Sequence, residues 1–308
     1  MKKLKSRPLN PGSKIGIIAP ASPAKEKAVI ESSAKVLEDL GYQTVLGEAV
    51  RPLNSYLAGT DLERRADLER FWGDDSIEAV WCLRGGYGSV RLLPDLYFGL
   101  IERNPKILIG FSDITGLELG LWKQTGLVTF HGPVLTVLKS EFSICQALQG
   151  LSGEMVGKPL PWPEGLISNY IVFKEGKVCG PLLGGNLALV SSLLGTGYFP
   201  DLEGGVLFLE ETEEPAYRID RMLTQLLASG ALDRVAGVII GRCNPVTGKE
   251  EEDLIKVFAE RLGKLSCPAA YGFPIGHIPD QWTLPQGITA EVDLGKGELT
   301  LVESPFRD

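Results

Sequence analysis

One serine stands where a nucleophile could work, at the end of the apolar run Ile107-Leu-Ile-Gly-Phe-Ser112-Asp-Ile-Thr115. The run reads as a buried strand entering a sharp turn and then a helix. In that geometry the backbone amide after the serine, that of Asp113, and the positive helix end face a developing oxyanion. The segment departs from Gly-x-Ser-x-Gly at Ile114, and a Ser or Asp before a helix also serves as a plain N-cap. A serine nucleophile needs a base. The chain has two histidines, His131 and His277, so a three-histidine metal site is excluded and the base is one of these two or a lysine. His277 sits in a Pro/Gly-bounded loop, Gly272-Phe-Pro-Ile-Gly-His277-Ile-Pro279, and His131 ends another strand in Phe130-His131-Gly-Pro133. Loops at strand ends carry working side chains, and they carry hydrogen-bonded structural histidines as well.

Two further segments offer supporting groups. Glu210 directly follows the apolar Leu207-Phe-Leu209, and a carboxylate there can orient an imidazole and stabilise its protonated form. Glu211 is its neighbour, and because consecutive strand residues face opposite ways, only one of the two can point at a given partner. Glu213 and Glu214 fall where the start of the next helix favours carboxylates. The loop Arg84-Gly85-Gly86-Tyr87-Gly88 follows the apolar Ala79–Leu83. It has neither the dinucleotide spacing nor a Walker pattern. The amides of Gly85 and Gly86 could complete an oxyanion hole or bind a carboxylate, or the glycines could simply permit a tight turn. Arg84 could pair with a substrate carboxylate or sit in a structural salt bridge.

The elements that must position these groups alternate through the first half. Strands are expected at Lys14–Ala19, Gln43–Leu46, Ile77–Leu83, Lys106–Gly110 and Leu127–Phe130, with helices at Lys25–Leu40, Asp61–Trp72 and Asp113–Lys123. Such alternation implies a mostly parallel sheet with helices on both faces. Periodicity weakens between residues 141 and 173, where Pro159, Pro161 and Pro163 mark a connection. The expected division is therefore residues 1–140, a connection over 141–173, and a second unit over 174–308. That second unit is mixed α/β with a β-rich close. It has helices at Asn186–Leu194, from Pro215, and at Glu250–Leu262, with strands at Val206–Glu210 and Val235–Ile240. The uncharged stretch Val178–Pro200 reads as buried loop and helix, since its glycines make it a poor membrane span.

Composition narrows the partners. Hydrophobic residues make up 44% of the 308 and charged residues 23%, which is the range of a folded globular chain. With 31 basic and 39 acidic residues the net charge is −8, so the electrostatic footprint of a nucleic-acid binder is missing. The five cysteines are an odd number without a Cys-x-x-Cys pair, which fits a reducing compartment and argues against a structural zinc site. The basic N-terminus is followed by an apolar run too short for a signal core, so neither export nor a membrane association is expected.

Taken together, the segments resemble the LD-carboxypeptidase family of serine peptidases, also called muramoyltetrapeptide carboxypeptidases. The resemblance rests on Gly16-Ile-Ile-Ala-Pro20, Tyr56-Leu-Ala-Gly-Thr-Asp61, Arg84-Gly-Gly-Tyr-Gly88, Gly110-Phe-Ser-Asp-Ile-Thr115, His131-Gly-Pro133, Gly184-Gly-Asn-Leu187, Leu209-Glu-Glu211, Tyr217-Arg-Ile-Asp220 and Gly272-Phe-Pro-Ile-Gly-His277. It implies an N-terminal flavodoxin-like parallel-sheet domain and a C-terminal β-rich mixed α/β domain. It also implies a Ser-Glu-His triad of Ser112, Glu210 and His277, with Glu211 as the competing acid. Asp113, Gly85, Gly86 and Arg84 would meet the oxyanion or the substrate. The implied reaction releases the terminal D-alanine from murein tetrapeptides in cytoplasmic peptidoglycan recycling, with no metal or cofactor, and family members are often homodimers. Two alternatives stand beside it. One is an immunity-type peptidase acting on a peptide-nucleotide antibiotic, for which Trp282 is the candidate adenine platform, unless that residue is core. The other is a non-catalytic ligand-binding module in which Ser112 is only an N-cap.

Overall fold

The computed structural model describes residues 2–244 and 251–307. The first half runs β1 (Lys14–Ile18), α1 (Lys27–Asp39), β2 (Gln43–Leu46), α2 (Asp61–Gly73), β3 (Ala79–Cys82), α3 (Phe98–Arg103), β4 (Ile107–Gly110), α4 (Ile114–Thr125), β5 (Phe130–His131) and α5 (Glu141–Ser152). The second half runs β6 (Ile171–Lys174), β7 (Lys177–Asn186), α6 (Leu187–Ser192), β8 (Val206–Thr212), α7 (Ala216–Ala228), β9 (Gly237–Asn244), α8 (Glu251–Leu262), β10 (Ala269–Tyr271), β11 (Leu284–Pro285), β12 (Thr289–Asp293) and β13 (Glu298–Leu301).

In the first sheet β2, β1, β3, β4 and β5 lie side by side and parallel, in the order 2-1-3-4-5 of flavodoxin-like doubly wound folds. β11 returns from the far end of the chain to close the edge, antiparallel to β5. The central strands are apolar on both faces because both are covered. Ile15, Ile17, Trp81, Ile107 and Ile109 pack under α1 and α5, while Val80, Cys82 and Leu108 pack under α2, α3 and α4. Two apolar stripes compete on α1. The one through Ile30, Ala34 and Leu37 is buried, and Val29 and Leu40 face solvent. Thr60 and Glu63 close a reciprocal capping box at the start of α2.

The second sheet has the order β13-β12-β7-β8-β9-β10-β6. Its centre, β7 to β10, is parallel, and β12, β13 and β6 flank it antiparallel. This is the β-rich second unit expected.

Two stretches differ from expectation. Residues 141–152 form helix α5 rather than connection, and its Ala147 and Leu151 belong to the first core. The segment Val178–Asn186 is strand β7, not buried loop. Its glycines serve pairing: a Cβ on Gly184 would lie 1.8 Å from the Phe208 carbonyl oxygen, so only glycine lets the two strands approach. The halves also lock together. The Asn186 N–H donates to Thr115 Oγ1 at 3.0 Å, and Phe306 stacks on Phe130. None of the described helices is long and apolar enough to cross a membrane.

Candidate active site

Three strand ends converge. β4 runs out through Phe111 to Ser112, whose φ is +64°, a left-handed conformation that a residue with a Cβ adopts at a cost. Two residues later α4 begins. The close turn needs Gly110, because a Cβ there would meet Ile114 Cγ2 at 2.8 Å. Ile114 thus occupies the space over Gly110, which explains the departure from the second glycine of the hydrolase pattern. Asp113, not Ser112, holds the N-cap position, so the plain-cap reading of the serine fails. The Asp113 carboxylate turns away from its helix and accepts from the N–H groups of Gly88 (3.2 Å) and Ser89 (2.8 Å), while the Ser89 hydroxyl donates to the Asp113 carbonyl.

That clamp fixes the glycine loop against the serine. A Cβ on Gly85 would lie 2.8 Å from Ser112 Cβ and 3.0 Å from Oγ. Gly86, at φ +107°, packs on Ser22, whose Oγ accepts from the Tyr87 N–H and donates to the Tyr56 carbonyl. Among the described residues no hydrogen bond uses the N–H of Gly85, Gly86 or Asp113. Gly85 packs against the serine and Asp113 follows it, so free backbone donors of the kind that can meet an oxyanion lie beside it. Arg84 is exposed, donates to the Pro23 carbonyl at 3.3 Å, and makes no ion pair among the described residues.

The acid and the imidazole meet directly. Glu210 Oε2 lies 2.7 Å from His277 Nδ1. Glu210 is fully buried, and His277 keeps part of its ring accessible. The local reason is a bulge in β9: Leu209 pairs with Ile240 and Glu211 with Cys243, so Gly241 and Arg242 together oppose Glu210. The bulge receives the histidine loop. The Arg242 N–H donates to the Ile275 carbonyl, the Asn244 side-chain amide donates to the His277 carbonyl, and a Cβ on Gly241 would collide with Ile275. Gly276, at φ +106°, leaves room for the carboxylate, since a Cβ there would lie 2.6 Å from Glu210 Oε2.

Glu211 points elsewhere. It accepts from the Asn186 side chain and from the N–H groups of Ala188 and Thr212, which ties β8 to the start of α6. Burial, and then the charge of Glu210, push its carboxyl up to about 7. For His277, burial works to lower the pKa but is outweighed by the hydrogen bond and charge of Glu210, with Glu211 and Glu213 adding. The net direction is upward. His131 is fully buried, 4.0 Å from Glu118 Oε2, and burial holds it down at about 4. It has no route to solvent and no place as the exposed base.

Ser112 and His277 are not hydrogen-bonded to each other. The ring of Phe111, the residue before the serine, lies 4.6 Å from the imidazole, centroid to centroid. Longer spacings of this kind are common before substrate binds.

Two sequence expectations need correction. Trp282 is fully buried, donates to the Pro161 carbonyl, and packs on Trp162 and Phe273. It is core, not a platform for a base. Glu213 and Glu214 precede α7, which Pro215 caps. Glu213 adopts φ +57° and its N–H donates to the Asn244 carbonyl, placing its charge within reach of His277. Glu214 pairs with Arg218. Phe111 and Glu213 are the site neighbours that residue types alone did not flag.

A doubly wound sheet that ends in a left-handed serine turn, together with a mixed sheet that carries a histidine–carboxylate pair, is the architecture of an α/β hydrolytic enzyme. The chain belongs to the LD-carboxypeptidase family of serine peptidases. The family's N-terminal domain matches residues 15–132 and its C-terminal domain residues 179–292. A probable murein peptide carboxypeptidase of Bacillus subtilis (strain 168) is 37% identical over 94% of this chain and 91% of its own. The murein tetrapeptide carboxypeptidase of Pseudomonas aeruginosa is 34% identical over 91% and 93%. Among solved structures, the wild-type apo form of the microcin C7 self immunity protein MccF superposes with a TM-score of 0.92 at 25% identity, covering 99% of this chain and 100% of that one.

Proposed function

We propose that the chain is a serine LD-carboxypeptidase that hydrolyses the amide between the L-centre of diaminopimelate or lysine and the terminal D-alanine of murein tetrapeptides. The observation that carries this reading is the Glu210–His277 pair, whose imidazole lies 4.6 Å, centroid to centroid, from the ring of Phe111, the residue before Ser112. The family membership and the names of the two carboxypeptidase relatives support the substrate class.

The proposal gives each residue a role. With Nδ1 engaged by Glu210, His277 has Nε2 free to take the Ser112 proton as Oγ attacks the scissile carbonyl carbon. The oxyanion is met by the amides of Asp113 and of Gly85 or Gly86. The tetrahedral intermediate collapses as His277 returns the proton to the leaving nitrogen, and D-alanine departs. Water, deprotonated by His277, then releases the tripeptide and restores the serine. Glu210 holds the imidazole in one tautomer and stabilises its charged form. Action in the cytoplasm, in peptidoglycan recycling, belongs to the same proposal, with the five free thiols in support. A homodimer is carried from the family resemblance, and light scattering tests it.

The likeness to the immunity protein favours one second reading, hydrolysis of a peptide-nucleotide. Its proposed aromatic platform is absent at Trp282, which is buried. Offering the purified protein a murein tetrapeptide and an aminoacyl sulfamoyl adenosine side by side separates the two. Release of D-alanine without turnover or tight binding of the adenosine supports the carboxypeptidase, and the reverse pattern supports the immunity branch.

A further inference from the structure

A carboxypeptidase must recognise the free carboxylate of the residue it releases, and the cation of the glycine loop, Arg84, is one candidate for that task. The chemistry fixes where such a group has to be. His277 must hand its proton to the leaving nitrogen, so the leaving residue lies on the imidazole side of Ser112, away from the oxyanion donors of Gly85 and Asp113. A cavity of about 370 Å³ has in its wall both His277 and Phe111, the residue before Ser112, and none of the oxyanion donors lines it. Its other walls are largely apolar, with Phe111, Val137, Ile278 and Pro279, and suit a small side chain such as a methyl group.

Among the described residues, one permanent charge lines this cavity, that of Lys139. The side chain is exposed and makes no ion pair among the described residues. Its backbone, however, is fixed relative to the histidine. The neighbouring Ser140 hydroxyl and that of Ser143 both donate to the Pro279 carbonyl, at 3.0 and 2.8 Å, and the Gln281 N–H donates to Ser143 Oγ. The segment that carries Lys139 and the loop that carries His277 are thus stapled together at two residues past the imidazole. Arg84 belongs to the glycine loop, where it donates to the Pro23 carbonyl.

We infer that this cavity is the subsite for the departing C-terminal residue and that Lys139 binds its carboxylate. The inference rests on the carboxypeptidase reading. It confines substrates to peptides with a free C-terminus and a small apolar last residue, and leaves Arg84 to the acyl portion.

The test compares a murein tetrapeptide with its C-terminal amide, in the wild type and in Lys139→Gln and Lys139→Arg. Lys139 is exposed, so folding is not at stake. The expected result is a wild-type preference for the free acid, a rise in KM for the acid of about tenfold in Lys139→Gln with kcat little changed, collapse of the acid-over-amide preference in that variant, and its retention in Lys139→Arg. Wild-type release of D-alanine with the same preference kept in Lys139→Gln would overturn the inference alone. Absence of any release by the wild type would overturn the carboxypeptidase reading, and the inference with it.

Discussion

Glu210 and His277 are held in contact from both sides: the carboxylate rises from a strand whose neighbour bulges to admit the histidine loop, and Gly276 offers no Cβ to push it away. The raised pKa of His277 follows from this contact, with the sign set by Glu210 overcoming burial. A general base works deprotonated, so kcat/KM should rise with pH through that raised value. Glu210→Gln removes the hydrogen-bonded charge, so the acidic limb should move to lower pH and turnover should fall on the order of 10²–10⁴-fold. A pH–rate profile of both proteins checks it; an unmoved acidic limb in the variant would detach Glu210 from the histidine's chemistry.

Glu211 should behave differently. Its carboxyl sits at about 7 in the folded protein against an ordinary 4.5, so the folded state holds the proton more tightly than the unfolded chain. The stability it adds is therefore fully present below about pH 4.5 and is lost as pH rises through 7. Glu211→Gln should flatten this part of the stability–pH curve and cost about 1–3 kcal/mol through its mispaired N–H partners. The acidic limb of catalysis should stay near its wild-type position. Urea unfolding at several pH values reads the first effect and kinetics the second.

Gly85 packs directly against the serine. Its φ lies outside the left-handed region, so Gly85→Ala introduces a steric conflict with Ser112 Cβ and Oγ and no backbone strain. Turnover should fall on the order of 10²-fold, the scale of a misplaced reacting atom, while the circular dichroism spectrum and melting temperature stay close to wild type.

The left-handed serine stores a measurable cost. Ser112→Ala keeps the Cβ and the strain, whereas Ser112→Gly relieves it at the expense of a more flexible unfolded chain. The glycine variant should be the more stable of the two by about 1 kcal/mol, with both inactive. Equal stabilities in denaturant titrations would mean that the turn is relaxed in solution.

Local geometry was the legible part of this molecule. A strand, turn and helix in immediate succession made Ser112 visible, and so did the apolar strands beneath it. What had to come from the fold was direction. Whether Glu210 or Glu211 faces the histidine depends on a bulge at Gly241 and Arg242, a non-local feature that no alternation along β8 records. Helix α5 escaped notice because the face it buries is Ser143, Gln146, Ala147, Gly150 and Leu151, mostly small or polar residues that make no apolar stripe. Strand β7 hid behind its glycines, and Trp282 could not be told from a surface aromatic until Trp162 and Phe273 were seen around it. Lys139 carries no motif at all; only its place in the wall shared with His277 distinguishes it.

The most direct measurement is D-alanine release from L-alanyl-D-glutamyl-meso-diaminopimelyl-D-alanine by the purified protein, with Ser112→Ala run beside it. The account requires steady release by the wild type and loss of nearly all turnover in the variant, with substrate binding retained. Release at an undiminished rate from Ser112→Ala, or none from a folded wild type, would contradict it.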